Sequence, residues 1–322
     1  MRLLLTGLAA VLLVSACEPP LGLGLATTRE LENGALAALA SARSVEVAGS
    51  YLDSGDPWQV DVQVARNGAK HVVASSRDLH LEAILIGKDG YFSSQDLLAR
   101  QLNGNPASQS LARAAGNGWW KGLVASAPSL ADFTEGERVK ATFINAELVS
   151  RSDHVADGGV DTAELSGPRA DVYIEEAAPH ELVRLHMQPG TTVDGVTRAD
   201  LRYSHYGTDF NIVPPASVIN FADLSTLPPN YTVLSVDTNG CGSPCVVRAV
   251  VKNLGGITGA SGPSTVRFDV TDLVSGASSA SCTATITPDV GYNATTTLSC
   301  TVSGVNFGAA KVTATPTNPG HV

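Results

Sequence analysis

Over most of this chain the apolar residues recur at every second position, a period that dictates strands. Val45 and Val47 alternate with Ser44, Glu46 and Ala48, and Val60, Val62 and Val64 alternate with Gln59, Asp61 and Gln63. Leu79, Leu81, Ala83 and Leu85 write a further such face. Successive side chains of a strand point to opposite sides, so this pattern buries one sheet face and wets the other. Asn67-Gly68 is a hairpin turn into Lys70–Ser76, and Lys88-Asp89-Gly90 turns into Tyr91-Phe92. Strand patterns resume at Glu147–Asp153, Asp161–Leu165, Ala170–Glu175, Glu181–Gln188, Gly195–Tyr206 and Asp209–Val213. Helical spacing is confined to a few places. Leu31, Ala35, Leu39 and Ala42 recur at threes and fours behind Thr27 or Thr28 as N-cap, and Asp96–Leu102 and Ser108–Ala115 are helix-like. The expected class is mainly β with a few helices, α+β, built on antiparallel strands.

A chain of 322 residues exceeds one ordinary domain. Residues 231–322 hold four basic and four acidic residues and no Glu, whereas residues 17–230 hold 16 basic and 27 acidic ones. The acidity of the protein therefore belongs to its first part. Short strand patterns at Tyr231–Val236, Val246–Lys252, Thr265–Thr271, Ser281–Thr287, Thr295–Val302 and Ala310–Thr315 predict a β-sandwich. Leu227-Pro228-Pro229-Asn230 between the two parts reads as a hinge. The formal net charge of −10 and an aromatic content of 5% argue against nucleic acid as a partner.

The first residues are a basic start, a short apolar run over Leu3–Leu13, and Val14-Ser15-Ala16-Cys17 followed by Glu18-Pro19-Pro20. This is the layout of an export signal, too short to span a bilayer. Val-Ser-Ala-Cys resembles the bacterial lipobox, which implies cleavage before Cys17 and a diacylglycerol on its sulfur. Two or more acyl chains would hold the protein stably on the extracytoplasmic face of the cell membrane. The expected organisation is a signal peptide over 1–16, a tether over 17–26, a first domain over 27–226, a linker over 227–230 and a second domain over 231–322. Export also makes disulfides plausible. Of the remaining cysteines, spacing favours Cys241–Cys245 across a tight turn and Cys282–Cys300 as the staple of a hairpin.

Several short motifs occur in a telling order after this leader. They are the N-terminal helix, the long meander with Asp89-Gly90-Tyr91-Phe92, an insertion ending in Gly118-Trp119-Trp120-Lys121, and Tyr203-Ser204-His205-Tyr206-Gly207 before Val213-Pro214-Pro215. The series resembles actinobacterial lipoproteins of the LppX and LprG type with a LolA-like fold, over about residues 27–222. The resemblance implies an antiparallel half-barrel closing over helices around an apolar cavity for lipid or lipoglycan acyl chains such as palmitate, without catalysis. In the second domain, Val251-Lys252-Asn253-Leu254-Gly255-Gly256 resembles the strand-turn of bacterial Ig-like modules.

Chemistry is hard to find in the remaining residues. None of the seven His forms His-x-x-x-His, and no Gly-x-Ser-x-Gly elbow, phosphate loop or dinucleotide fingerprint occurs. His154 with Asp153, Asp157 and Asp161 comes nearest to a cation site, but a solvated acidic turn explains it better. No enzyme, cofactor or metal is expected. The candidates for a lipid cavity are Val60, Val62, Val64, Leu79, Leu81, Leu85, Val172, Ile174, Val183, Leu185, Met187, Leu201 and Tyr203. Period alone does not decide between a cavity and a solid core. One short helix and a small insertion are scant cover for so large a sheet, and it is mainly the resemblance to a cavity-forming fold that favours the cavity. The rival expectation is a cell-surface scaffold or sensor that binds an envelope protein, with the second domain as spacer.

Overall fold

The Thr27 hydroxyl accepts the Glu30 N–H at 3.2 Å, and Glu30 Oε2 accepts the Thr27 N–H at 2.7 Å. This reciprocal cap starts α1 (Thr28–Ser41), which buries Leu31, Ala35 and Ala38. The computed structural model describes residues 24–42, 44–77, 79–102, 106–124, 130–144, 149–238, 244–303 and 310–320. The leader with Cys17, and Cys241, lie outside the described residues.

After α1 the chain forms β1 (Ser44–Asp53), β2 (Asp56–Ala65), β3 (Lys70–Ser76), β4 (Leu79–Ile86) and β5 (Asp89–Ser93). An insertion follows, with α2 (Gln95–Gln101), α3 (Pro106–Ala115), β6 (Trp120–Gly122), α4 (Ala131–Thr134), α5 (Gly136–Val139) and a π-helical turn at Lys140–Ile144. The strands then resume as β7 (Ser150–Asp157), β8 (Val160–Ser166), β9 (Ala170–Glu175), β10 (Leu182–Met187), β11 (Thr192–Val193) and β12 (Val196–Ser204). All pair antiparallel in one sheet of order β6-β5-β4-β3-β2-β1-β12-β10-β9-β8-β7, with β11 on β12. The first unit is thus mainly β with few helices.

Register turns the period-two pattern into rows. Trp120, Phe92, Ala83, Val72, Val62, Val47 and Tyr203 lie opposite one another in consecutive strands, and Leu201, Leu185, Val172 and Leu165 form a second row. Every one of these is buried. The insertion covers that face: Leu98, Phe133, Val139 and Phe143 are buried in the same core, and the rings of Phe133 and Phe143 meet tilted by 36°, their centroids 5.4 Å apart. Tyr203 Oη donates to the Phe133 carbonyl at 2.8 Å, fastening this layer to the sheet.

Two strand expectations need correction. A bulge between Leu182 and Arg184 shifts the register of β10, so Leu182 takes the buried position and Val183 is only half-buried. Residues 209–213 form no strand. Both edges of β12 are already occupied, by β1 and β10, so the segment finds no ladder and runs irregularly beside Gln63, His71 and Ile84.

The second unit places β13 (Tyr231–Asp237), β14 (Cys245–Asn253) and β17 (Thr295–Val302) in one sheet. The other sheet holds β15 (Thr265–Asp272), β16 (Ser278–Thr285) and β18 (Ala310–Thr317). Val247, Val251, Val266, Phe268 and Val270 form the core between them. Cys282 and Cys300 are disulfide-bonded with a Cα–Cα distance of 6.2 Å. The bond does not staple a hairpin as expected, because β16 and β17, though consecutive, belong to different sheets. It joins one layer of the sandwich to the other. Cys245 is also disulfide-bonded.

Candidate functional site

The joint between the two units is tightly built. Asn253 Oδ1 accepts the N–H of Asn230 at 2.9 Å and of Gly255 at 3.0 Å, while Nδ2 donates to the carbonyls of Gly256 and Val290 at 2.7 and 2.6 Å. The Gly256 N–H donates to Leu227 O at 2.7 Å and the Leu254 N–H to Asn230 O at 2.8 Å. A Cβ at Gly255 would stand 1.9 Å from Pro228 O, and one at Gly256 2.0 Å from Ser225 O, so the close approach requires glycine at both. From the far end of the chain, Asn318 Nδ2 donates to Asn230 Oδ1 and to Tyr231 O, both at 3.1 Å. Leu227, Pro228, Pro229 and Asn230 are consequently all buried. The expected hinge is a clamped strap, held by the Asn253-Leu254-Gly255-Gly256 turn.

Beside this strap the C-terminal half of α3 faces the sandwich across a half-open cavity of about 700 Å³. Leu111, Arg113 and Ala114 come from α3, Leu224 from the short 3-10 turn at Leu224–Thr226, and Tyr231, Leu254 and Tyr292 from the second unit. Tyr231 Oη donates to Asp289 Oδ1 and accepts the Val290 N–H, both at 3.0 Å. Burial pushes the Tyr231 hydroxyl up to about 12, so it stays neutral and donates. The cavity has the size of a small-molecule site and its walls come from both units. Sequence reading missed it. Its residues lie on a helix, on loops and on two strands, β13 and β18, with more than a hundred positions between the helix and the rest, which no local period records.

The cavity candidates read from the sequence gather as one surface but line a different place. Val60, Val62, Leu79, Leu81, Val172, Ile174, Leu185, Met187, Leu201 and Tyr203 are buried, while Val64 and Leu85 are half-buried against the same core. None of them lines the junction cavity.

The acidic turn is rearranged as well. Asp153 Oδ1 accepts from Arg151 Nε at 2.7 Å, and Asp157 pairs with Arg202. Asp161 and Glu176 face His154, with His154 Nδ1 3.1 Å from Asp161 Oδ2 and 3.0 Å from Glu176 Oε2. Glu176, unforeseen from the sequence, also accepts the His154 N–H at 2.7 Å. The Asp161 hydrogen bond, and then the Glu176 charge, hold the imidazole pKa above its ordinary value. The same three side chains offer ligand atoms within 4.8 Å of one another, a donor set of the kind that holds a divalent cation. The outer face nearby is polar, with Arg184 donating to both oxygens of Asp200 at 2.7 and 2.6 Å. Arg184 thereby holds Asp200 below the usual carboxylate range.

No family model matches the chain. No curated protein matches it either. Among solved structures it is similar to a crystal structure of MucB in complex with MucA(peri), at 13% identity, covering 75% of this chain and 86% of that one, with a TM-score of 0.26. A likeness of that size carries no argument about function.

Proposed function

We propose that this chain is a lipid-anchored, non-catalytic lipoprotein of the extracytoplasmic membrane face that binds acyl chains of lipid or lipoglycan. The observation that carries the reading is the junction cavity, about 700 Å³ and walled by Leu111, Ala114, Leu224 and Leu254 beside two tyrosines. The lipobox at Cys17 and the order of motifs shared with LolA-like lipoproteins support it, as does an antiparallel sheet with one apolar face under helices. On the same reading the second unit is an Ig-like sandwich. Binding is passive. A C16 chain gains roughly 12 kcal/mol on burial at ~0.8 kcal/mol per CH₂, and a membrane offers nearly as much, so donor and acceptor set the direction.

The test is mass spectrometry of organic extracts of the purified protein, beside Thr232→Trp. Thr232 lines the cavity from a half-buried strand position, where an indole fits the strand and fills the space. Bound acyl lipid in the wild type that Thr232→Trp removes is the expected result. Absence of lipid from both overturns the reading.

A second reading, a surface scaffold or sensor that docks an envelope protein, is favoured by one observation. Leu273 and Val274 stand 63% and 89% exposed at the tip of the β15–β16 hairpin, an apolar pair that folding leaves uncovered.

A further inference from the structure

The charge in the junction cavity restricts its ligand. The chain carries 31 acidic and 21 basic residues, yet among the described residues the wall of this cavity holds no carboxylate. The charged group it does hold is the guanidinium of Arg113. Arg113 sits in the last turn of α3, exposed, with its Nε–H on the Gln109 carbonyl of its own helix at 3.3 Å. The nearby carboxylate of Asp289 is turned to the Tyr231 hydroxyl. A mixed wall, with Leu111, Ala114, Leu224 and Leu254 among Ser, Thr and Asn side chains and one cation, complements an amphiphile that has a single anionic head.

We infer that the junction cavity takes an anionic amphiphile, one acyl chain lying along Leu111, Ala114, Leu224 and Leu254 and its carboxylate or phosphate head on Arg113. This rests on the acyl-binding reading and adds the charge of the ligand to it. The site is preformed. The Asn253 clamp and the Asn318 bonds fix the sandwich wall, and the C-terminal chain packs on α3, where a Cβ at Gly320 would come 3.1 Å from Arg113 O. No element has to open to admit the chain, because the cavity faces solvent on one side.

The test uses ten-carbon probes that stay monomeric: decanoate and 1-decanol, titrated calorimetrically into the full chain, Arg113→Gln and Thr232→Trp. Decanoate is expected to bind about tenfold tighter than decanol to the wild type, and Arg113→Gln to erase that preference while decanol affinity stays put. Thr232→Trp is expected to abolish both. A preference that survives Arg113→Gln, or equal affinities in the wild type, overturns the role of Arg113 while leaving acyl binding standing. Failure of either probe to bind, or binding that Thr232→Trp leaves intact, removes the cavity reading and the inference with it. A phosphate head is separated from a carboxylate by the same pair of variants with phosphatidylglycerol vesicles.

Discussion

Asn253 and Asn230 hold the two halves of this protein together: the Asn253 Oδ1 accepts the Asn230 backbone N–H at 2.9 Å inside a buried joint. The same side chain meets three further backbone groups, so its full hydrogen-bonding capacity is spent on its own turn, the strap and the Val290 carbonyl. The joint across Pro228-Pro229 is thus held by side-chain as well as backbone hydrogen bonds.

Asn253→Ala leaves the buried N–H groups of Asn230 and Gly255 without partners, at about 1–3 kcal/mol each. Urea unfolding of the variant should show a loss of about 2–5 kcal/mol, and limited proteolysis should cut within 227–230. An unchanged midpoint and an uncut strap contradict the clamp.

The Cys282–Cys300 bond closes 18 residues and spans the two sheets of the sandwich. Replacing both with Ala should cost about 3 kcal/mol of the second unit's stability, chiefly through the unfolded state. Non-reducing peptide mapping checks the pairing, and it should also return the Cys241–Cys245 peptide expected from the sequence.

Leu81 and Leu185 are 2% and 0% exposed in the sheet-helix core. Leu81→Trp and Leu185→Trp should each lower stability by about 1–3 kcal/mol or more, because an indole strains the packing around two enclosed side chains. Thr232→Trp should lower it far less. Near-native thermal midpoints for the two Leu variants, together with loss of bound lipid, would move the ligand from the junction to the space beneath the helices.

Cys17→Ala should release the protein from membranes or leave an unprocessed precursor, as read by fractionation and immunoblotting. Processed protein that still needs detergent for extraction counts against the lipid anchor.

His154, between Asp161 and Glu176 and with Asp153 near, has a raised pKa in the fold. A group raised by folding stabilises fully below its unfolded value, about 6.5, and loses that contribution as pH climbs through the folded one. The thermal midpoint of His154→Ala should fall below wild type at about pH 5.5 and converge with it by about pH 8.5. An equal gap at both pH values rejects the charge pairing.

The period of the apolar residues determined the strands, their inner faces and the α+β class, because alternation is local and a strand's two sides follow from it alone. Thr27 as the cap of α1 and the Asn67-Gly68 turn were legible for the same reason. So was the charge boundary at residue 230, which is composition and needs no fold. Tertiary structure decided the rest. Val183 left the inner face because a bulge, which is a property of a strand pair, inserts one residue into β10. Which side chains cover the sheet face depended on how Phe133, Val139 and Phe143 fold back, and no count of helices measures that. The hinge became a strap because Asn253, some twenty residues on, returns to bond it. Arg113 and Leu254 share a cavity only once α3 meets the sandwich. A pattern in sequence reports which way a side chain points from its own backbone; what stands opposite is fixed by a distant part of the chain, and binding sites are made of that opposition.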